Sequence, residues 1–203
     1  ALSEGEVNPI ASQFDVPEDA VLDKAELYVY LIQENNATVK AYPITAPWEE
    51  NSVTWNSFGG SYDGASSEGS FQTNDEGVWR SALITNMFWD WVEDSENNHG
   101  VLLKEDPLSG NNNPRAKYRS REYSVEFAPY VLLTFQDNGE EHTVKLPVIA
   151  DTYIWELRSD HDKDGTDEYK QNYGGEDKLF TGNGPNTGEK MSLFKVEIPE
   201  ISQ

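Results

Sequence analysis

The stretch Ala25-Glu26-Leu27-Tyr28-Val29-Tyr30-Leu31 alternates between apolar residues and residues with a polar group. Successive side chains of a β-strand point to opposite faces of a sheet, so every second residue from Ala25 onward falls on one face. This pattern predicts a strand with one buried face. Similar short runs recur along the chain between loops rich in Gly, Ser and Asn, and they predict about ten strands in total.

The run from 78 to 92 is the segment that favours a helix. Leu83, Met87 and Trp91 recur at every fourth position, which places them on one helical face. Long polar segments, such as 58–74 and 159–175, are typical of surface loops between strands. The sequence therefore predicts an all-β fold, a jelly-roll-like β-sandwich with one short helix and long loops.

The composition excludes several classes of function. Of 203 residues, 37 are Asp or Glu and 15 are Lys or Arg, which gives a formal net charge of −22. Such a surface repels nucleic acid and anionic lipid, and no apolar run approaches the ~20 residues of a membrane helix. The chain has no cysteine, so disulfides and thiolate metal sites are excluded. We expect a secreted protein without nucleic-acid partners or membrane insertion, and the start at Ala1 suits a terminus left by signal cleavage.

The segment 160–168 has the D-x-D-x-D-G form of a calcium-binding loop. Alternate carboxylates can converge on one cation, and a glycine permits the sharp turn. The candidate ligands are Asp160, Asp162, Asp164, the carbonyl group of Thr166, and Glu168. Gln171 occupies the position where an EF-hand carries a bidentate glutamate, and no flanking helices are predicted, so the loop is not an EF-hand. The predicted cofactor is calcium, and the alternative is a solvated acidic loop.

Aromatic residues make up 12% of the chain, including 6 Trp and 10 Tyr. Rings of this kind can stack on sugars, but they also pack protein cores. For Trp48 and Trp55 we expect packing rather than sugar contact. Tyr28, Tyr30 and Tyr123 are predicted to face outward and are better candidates for a binding or assembly surface.

No catalytic constellation is recognisable, and we therefore predict that the chain is not an enzyme and has no catalytic residues. The three histidines lack metal-binding spacing, and no nucleophile elbow is present. Arg121 and Glu122 are expected on opposite faces of a strand, which argues against an ion pair between them. Asn36 begins the sequon Asn-Ala-Thr in a predicted turn and is a glycosylation candidate.

The stretch from Ala25 to Phe135 resembles the DNRLRE domain, also called the disaggregatase-related repeat. The most specific block is Trp-Glu-Glu-Asn-Ser-Val-Thr-Trp-Asn at 48–56, supported by Ser-Arg-Glu-Tyr at 120–123 and Ala-Pro-Tyr-Val-Leu at 128–132. Members of that family occur in surface and secreted proteins, and some are carbohydrate-binding modules. The resemblance implies a carbohydrate-binding-module-like sandwich at the cell surface.

The order of the elements departs from that family. Its opening elements come last in this chain, as Ala-Asp-Thr-Tyr at 150–153, Asn-Tyr-Gly-Gly at 172–175 and Ser-Leu-Phe-Lys-Val at 192–196. We therefore divide the chain into a main sandwich, 1–143 with its family-like core at 25–135, and a C-terminal strand segment, 144–203. The segment could complete its own sandwich, complete a neighbouring subunit's, or belong to a tandem array.

Completion of a neighbour's sandwich by strand addition predicts a secreted structural subunit that forms head-to-tail filaments stabilised by calcium. The donated strands would contain Ala150, Asp151, Tyr153, Leu193, Phe194, Val196 and Ile198. The acceptor edge would contain Ile10, Phe14, Val16, Leu27 and Val29. The alternative is a cell-surface carbohydrate-binding module that recognises acidic or neutral polysaccharide, with calcium in a structural role. The expected partners are thus copies of the same chain, polysaccharide, or both.

Overall fold

The computed structural model describes residues 11–107, 115–183 and 188–198, and every structural statement below concerns these residues. The all-β prediction is confirmed, with ten antiparallel strands in the described residues. The strands are β1 Val21–Gln33, β2 Thr38–Pro43, β3 Ser70–Gln72, β4 Val78–Leu83, β5 Val101–Glu105, β6 Ala116–Arg119, β7 Tyr130–Asp137, β8 Glu140–Trp155, β9 Lys178–Asn183 and β10 Glu189–Val196. The α-helices are α1 Trp55–Phe58 and α2 Thr85–Glu93, and single 3-10 turns lie at Ala11–Phe14, Ser95–Asn97 and Glu168–Lys170.

The strands form two layers. In the first layer, β1 is paired with β7, β6 and β4, and β9 follows β6. In the second, the order is β3, β2, β5 and β10. Strand β8 belongs to both layers, because 140–147 pair with β7 and 148–155 pair with β10. Its change of partner coincides with Pro147, which has no N–H to donate to a ladder. Strand β9 also pairs with both β6 and β10.

The main core fills the space between the layers, and the alternation predicted for β1 is confirmed. Ala25, Leu27, Val29 and Leu31 are fully buried, whereas the residues between them are only partly covered. They pack in one cluster with inward residues of the other strands, including Phe135 and Phe194. Each layer therefore contributes one apolar face to a common core, as in a β-sandwich.

The helix predicted over 78–92 is wrong in its first half. Residues Val78–Leu83 form β4, and α2 begins only at Thr85. The helix starts there because both carboxylate oxygens of Glu68 accept bonds from the backbone N–H groups of Asn86 and Met87, at 2.7 and 3.1 Å. These groups have no partner inside a helix. Because Glu68 lies in a distant loop, the local sequence pattern could not show this cap.

A second helix, α1, lies inside the block that carries the family resemblance. Thr54 and Ser57 bond each other's backbone N–H groups, which makes a capping box. Gly59 ends the helix with a φ of 59°, a conformation that favours glycine. The prediction of a single helix is therefore corrected to two, of which α1 is one turn long.

The part of the predicted acceptor edge that contains Phe14 and Val16 is not a strand. Residues Ala11–Phe14 form a 3-10 turn, and Asp15 has a φ of 57°. Ile10 lies outside the described residues. The Phe14 ring lies 6.4 Å from that of Phe135, and Val16 is buried, so the segment covers one end of the core. The apolar residues of this segment therefore cap the core and do not pair with a sheet.

The C-terminal segment is hydrogen-bonded to the rest of the same chain. Phe194 in β10 pairs with Val101 on one side and Asp151 on the other, so β10 lies between β5 and β8. Leu27 in β1 pairs with Ala82 and with Val131, and so it has strand partners on both sides. Ile198 follows β10 and packs against the core. The predicted donated strands are thus paired within one chain, with each other and with β5 and not with the predicted acceptor residues of β1, and strand donation between copies stays a prediction.

Candidate functional site

Six aromatic side chains lie together on the outer face of the first layer, and we call them the aromatic surface. They are Tyr28, Tyr30, Trp79, Tyr123, Phe127 and Tyr130. The strand register places them there, because Tyr28 lies opposite Tyr130, and Tyr30 lies opposite Trp79. The two other rings are in the turns between β6 and β7. All six are at least partly exposed, and Tyr123 is 42% exposed.

The rings of the aromatic surface contact one another in a continuous row. Tyr28 and Tyr130 are stacked, with centroids 5.0 Å apart and planes 3° apart. Trp79 meets Tyr130 and Tyr30 edge-on at 5.2 and 5.3 Å. Phe127 lies 4.5 Å from Tyr30 and 6.1 Å from Tyr123. Because each ring supports its neighbour, the row is held in place before any ligand binds, which lowers the entropy cost of binding.

Two cations border the aromatic surface. The guanidinium group of Arg119 lies 3.5 Å from the centroid of Tyr123, and Nζ of Lys145 lies 4.2 Å from that of Tyr130. Partial burial raises the pKa of Tyr130, so its phenol stays protonated and can donate a hydrogen bond. In a chain with a net charge of −22, this face combines apolar rings, hydroxyl donors and positive charge. That combination suits sugars, which have apolar C–H faces and hydroxyl groups around the ring.

The sequence located half of the aromatic surface. Tyr28, Tyr30 and Tyr123 were predicted to face outward, and the structure places all three there. Trp79 was missed because β4 resembled the start of a helix. Trp48, by contrast, is 6% exposed and donates Nε1–H to the carbonyl group of His99 at 2.8 Å, so the packing prediction is confirmed for this residue.

The acidic loop is the second candidate site. Asp160 Oδ2 accepts from Gly165 N at 2.9 Å, Asp162 Oδ1 from Asp164 N at 3.2 Å, and Asp164 Oδ1 from Thr166 N at 2.8 Å. These bonds curl the loop, and Gly165 adopts a φ of 95° at its turn. Asp160, Asp162 and Glu168 each place a carboxylate oxygen within 4.8 Å of the others. Asp164 and Thr166 instead receive bonds from the Gln171 amide and are not in that group.

Glu168 joins the acidic loop to the protein interior. It is 1% exposed, and its Oε1 accepts from His161 N at 2.8 Å and Asp162 N at 3.2 Å. Its Oε2 accepts from the phenol of Tyr173. Burial, and then this bond to a carboxylate, raise the pKa of Tyr173, which therefore remains a donor. The buried carboxylate thus holds one side of the loop in position.

Comparison with known families decides the class of the protein. Residues 12–135 match the model of carbohydrate-binding module family 96, which is more than half of the chain. The chain belongs to this family. No significant match occurs among curated proteins or among solved structures.

The match to family 96 contains the whole aromatic surface but not the acidic loop. It confirms the prediction of a carbohydrate-binding-module sandwich, although it does not itself confirm the DNRLRE resemblance. Carbohydrate-binding modules are non-catalytic, in agreement with the prediction that this chain is not an enzyme. Such modules are typically extracellular or attached to the cell surface. Among the helices of the described ranges, none is long and apolar enough to cross a membrane.

A buried lysine of the module lies in a cage of rings beside the acidic loop. Nζ of Lys190 is 3.6 Å from the Trp155 centroid, 4.3 Å from that of Phe180 and 4.5 Å from that of Tyr153. The residue is 4% exposed. Burial, with a smaller contribution from the positive charge of Arg115, lowers the pKa of Lys190 to about 6. The amino group of Lys190 is therefore mostly neutral at pH 7.

Asp151, which was predicted to lie in a donated strand, belongs to a cluster of charged side chains. We call it the Glu50 cluster, and its members are Glu50, Arg121, Glu122 and Asp151. Arg121 Nη2 lies 2.9 and 2.8 Å from the two oxygens of Glu50 and 3.1 Å from Glu122. The expectation that Arg121 and Glu122 do not pair is therefore wrong. They lie in a turn after β6, where the alternation of a strand does not apply.

Asn36 is exposed at its turn, and its glycosylation stays a prediction.

Proposed function

We propose that this family 96 module binds polysaccharide through the aromatic surface. The observation that carries the proposal is the continuous, partly exposed row of six rings within the segment that matches the family. Each ring offers an apolar face to the C–H groups of a sugar, while phenol hydroxyls and the cations Arg119 and Lys145 can bind hydroxyl or carboxylate groups. The open face of a sheet accommodates an extended chain of sugars.

The central rings are expected to dominate the affinity. Trp79 contacts two other rings, and Tyr130 contacts both Tyr28 and Trp79. We expect Trp79→Ala and Tyr130→Ala each to weaken polysaccharide binding about tenfold or more, because large aromatic side chains at the centre of an interface contribute most of its energy. The measurement is affinity electrophoresis on gels containing neutral or acidic polysaccharides, followed by calorimetry with the polymer that retards the protein.

The matched control is Tyr169→Ala, which removes a partly exposed tyrosine outside the aromatic surface. It should bind as the unmodified protein does. Unfolding midpoints of all variants exclude loss of structure as the cause of weaker binding. The proposal fails if no polysaccharide retards the intact protein, or if Trp79→Ala and Tyr130→Ala bind as strongly as the control.

Calcium is the proposed occupant of the acidic loop, in a structural role. The support is the convergence of three carboxylates and the set of oxygen ligands, which hard cations prefer. Asp160, Asp162 and Glu168 would bind directly, and Asp164 and the Thr166 carbonyl group are the other predicted ligands. The irregular loop favours calcium over magnesium, which requires a nearly ideal octahedron.

Removal of calcium is expected to lower the thermal midpoint, because a ligand that binds only the folded state stabilises it. At a calcium concentration 100 times Kd the stabilisation is about 2.7 kcal/mol. The double substitution Asp160→Asn and Asp162→Asn should reduce this calcium-dependent shift, whereas Asp63→Asn, which alters an exposed carboxylate in another turn, should leave it unchanged. Differential scanning calorimetry with and without a chelator measures the shift. If the loop is solvated and binds no ion, the calcium-dependent shift of the thermal midpoint will be the same in the double variant and in the control.

We do not propose filament formation as the function. Its support was the expectation that the C-terminal strands need a second copy, and β8 and β10 are bonded within their own chain. Head-to-tail assembly stays a prediction, and light scattering of the intact chain with and without calcium tests it. Growth of the particle mass on addition of calcium would support it. A secreted or cell-surface location is part of the proposal, since extracellular polysaccharide is accessible there.

A further inference from the structure

The Glu50 cluster joins three separate parts of the chain. Glu50 lies in the loop before α1, Arg121 and Glu122 lie in the turn after β6, and Asp151 lies in β8. Glu50 Oε1 also accepts from the backbone N–H of Asp151 at 2.8 Å. With this bond and those from Arg121, both oxygens of Glu50 have donors. The cluster lies outside the acidic loop and contains none of the aromatic surface.

Asp151 is the residue of the cluster whose bonding is incomplete. It is 1% exposed. Its Oδ2 accepts from the backbone N–H of Arg121 at 2.9 Å, but its Oδ1 is fully buried and has no hydrogen-bond partner in the described part of the chain. A buried charged oxygen without a partner is costly, so a proton or a bound cation is needed there.

The charges around Asp151 are unbalanced. Glu50, Glu122 and Asp151 each place a carboxylate oxygen within 4.8 Å of the others, and Arg121 is the cation paired with them. Three carboxylates and one guanidinium leave a formal charge of −2. A proton shared between Asp151 and Glu122 would neutralise half of this charge, whereas a divalent cation would neutralise it all. The Glu122 side chain is 24% exposed, so an ion and its water ligands can reach the cluster from solvent.

We propose that the Glu50 cluster is a second divalent-cation site, with Asp151 and Glu122 as direct ligands. Glu50 completes the carboxylate group and orients Asp151 through its backbone N–H. Calcium fits best, since all the protein ligands are oxygens in an irregular arrangement. Zinc is disfavoured because histidine and cysteine are not among them. The ion would tie β8 to the two loops that flank the cluster.

The experiment counts calcium ions bound to the full chain. Protein stripped with a chelator is dialysed against calcium chloride, and bound metal is measured by mass spectrometry. In the Asp160→Asn, Asp162→Asn background, where the acidic loop is disabled, we expect one calcium ion to remain. Adding Glu122→Gln should weaken its binding about tenfold or more, because a charged ligand is lost. The matched control is Glu126→Gln, an exposed glutamate in the same turn region, which should leave the affinity unchanged.

Two results would overturn the proposal. One is a folded loop variant that binds no calcium at millimolar concentration, which would assign the Asp151–Glu122 contact to a shared proton. The other is a second calcium ion whose affinity is the same in Glu122→Gln and in the control. Asp151→Asn is a further test, but it alters a buried residue that holds the turn. Glu122→Gln keeps the test decisive if that variant does not fold, because Glu122 is at the surface. Neither result bears on polysaccharide binding.

Discussion

A chain that ends at Thr143 is expected to lose cooperative folding. The truncation removes β9, β10 and the part of β8 that follows Thr143, so that β5, β6 and β7 each lose strand pairing. The buried apolar side chains that are lost include Val148, Phe194 and Val196 of the main core, and Ile154, Met191 and Leu193 of a second cluster that contains Trp48. At about 2 kcal/mol each, they contribute on the order of 10 kcal/mol, which matches the whole stability of a typical domain. Near-ultraviolet circular dichroism and urea titration measure the loss.

The matched control is a chain that ends at Ile198, which retains every described element and should unfold like the intact protein. A truncated chain with an undiminished, sharp transition would contradict the prediction and would make 1–143 an independent domain. Addition of a peptide covering 189–198 also tests strand donation. If the peptide restores the transition, the gap beside β5 accepts a strand from another molecule, which would be strand donation at an edge other than the predicted one.

The substitution Lys190→Met is expected to stabilise the protein at neutral pH. The pKa of Lys190 is about 6 in the folded protein and has its ordinary value of 10.5 in the unfolded chain. Between these pH values the unfolded chain therefore binds a proton that the folded chain does not. Stability therefore rises with pH in this window, by up to about 1.4 kcal/mol per pH unit. Methionine abolishes this dependence and fills the cage without a charge. Buried ion pairs that are replaced by apolar residues of similar volume leave a protein equally stable or more stable by roughly 1–4 kcal/mol, and we expect a gain within this range here.

Urea unfolding at pH 6.5 and 8.5 tests the prediction, with Lys195→Met as the control on the same strand. Comparison between variants is needed because Asp151 also titrates in this range. Burial raises the pKa of Asp151 to about 8, so its contribution to stability falls as the pH rises. If Lys190→Met destabilises the protein and leaves its pH slope unchanged, the rings hold the lysine as a cation, and the electrostatic attraction of the aromatic faces exceeds the cost of burial.

The strands could be predicted where one side of the sheet is apolar. β1 shows this, because its alternation follows the burial of every second side chain in the core. Prediction failed where a distant residue decides the structure. The boundary between β4 and α2 depends on Glu68, and the 3-10 turn at Ala11–Phe14 covers the end of the core near Phe135. Apolar spacing alone could not distinguish these segments from a longer helix and a strand.

The same difference between local patterns and distant residues decides which parts of the candidate sites could be predicted. The acidic loop is continuous in sequence, so its ligands were visible as a motif, and Tyr28 and Tyr30 were visible as the outward residues of a strand. The aromatic surface as a whole was not, because Trp79 and Tyr130 join it through strand pairing, and Phe127 joins it from a turn that packs on Tyr30. The Glu50 cluster combines residues 50, 122 and 151, and only the folded chain brings them together.

Strand β8 runs from one layer into the other without interruption. Separation of the two sheets along this strand therefore has to break backbone hydrogen bonds between β8 and either β7 or β10. A module that holds a polymer on one face experiences drag on that face alone. Because β8 is shared by both layers, it would transmit a force on a ligand bound to the first layer to the second layer as well.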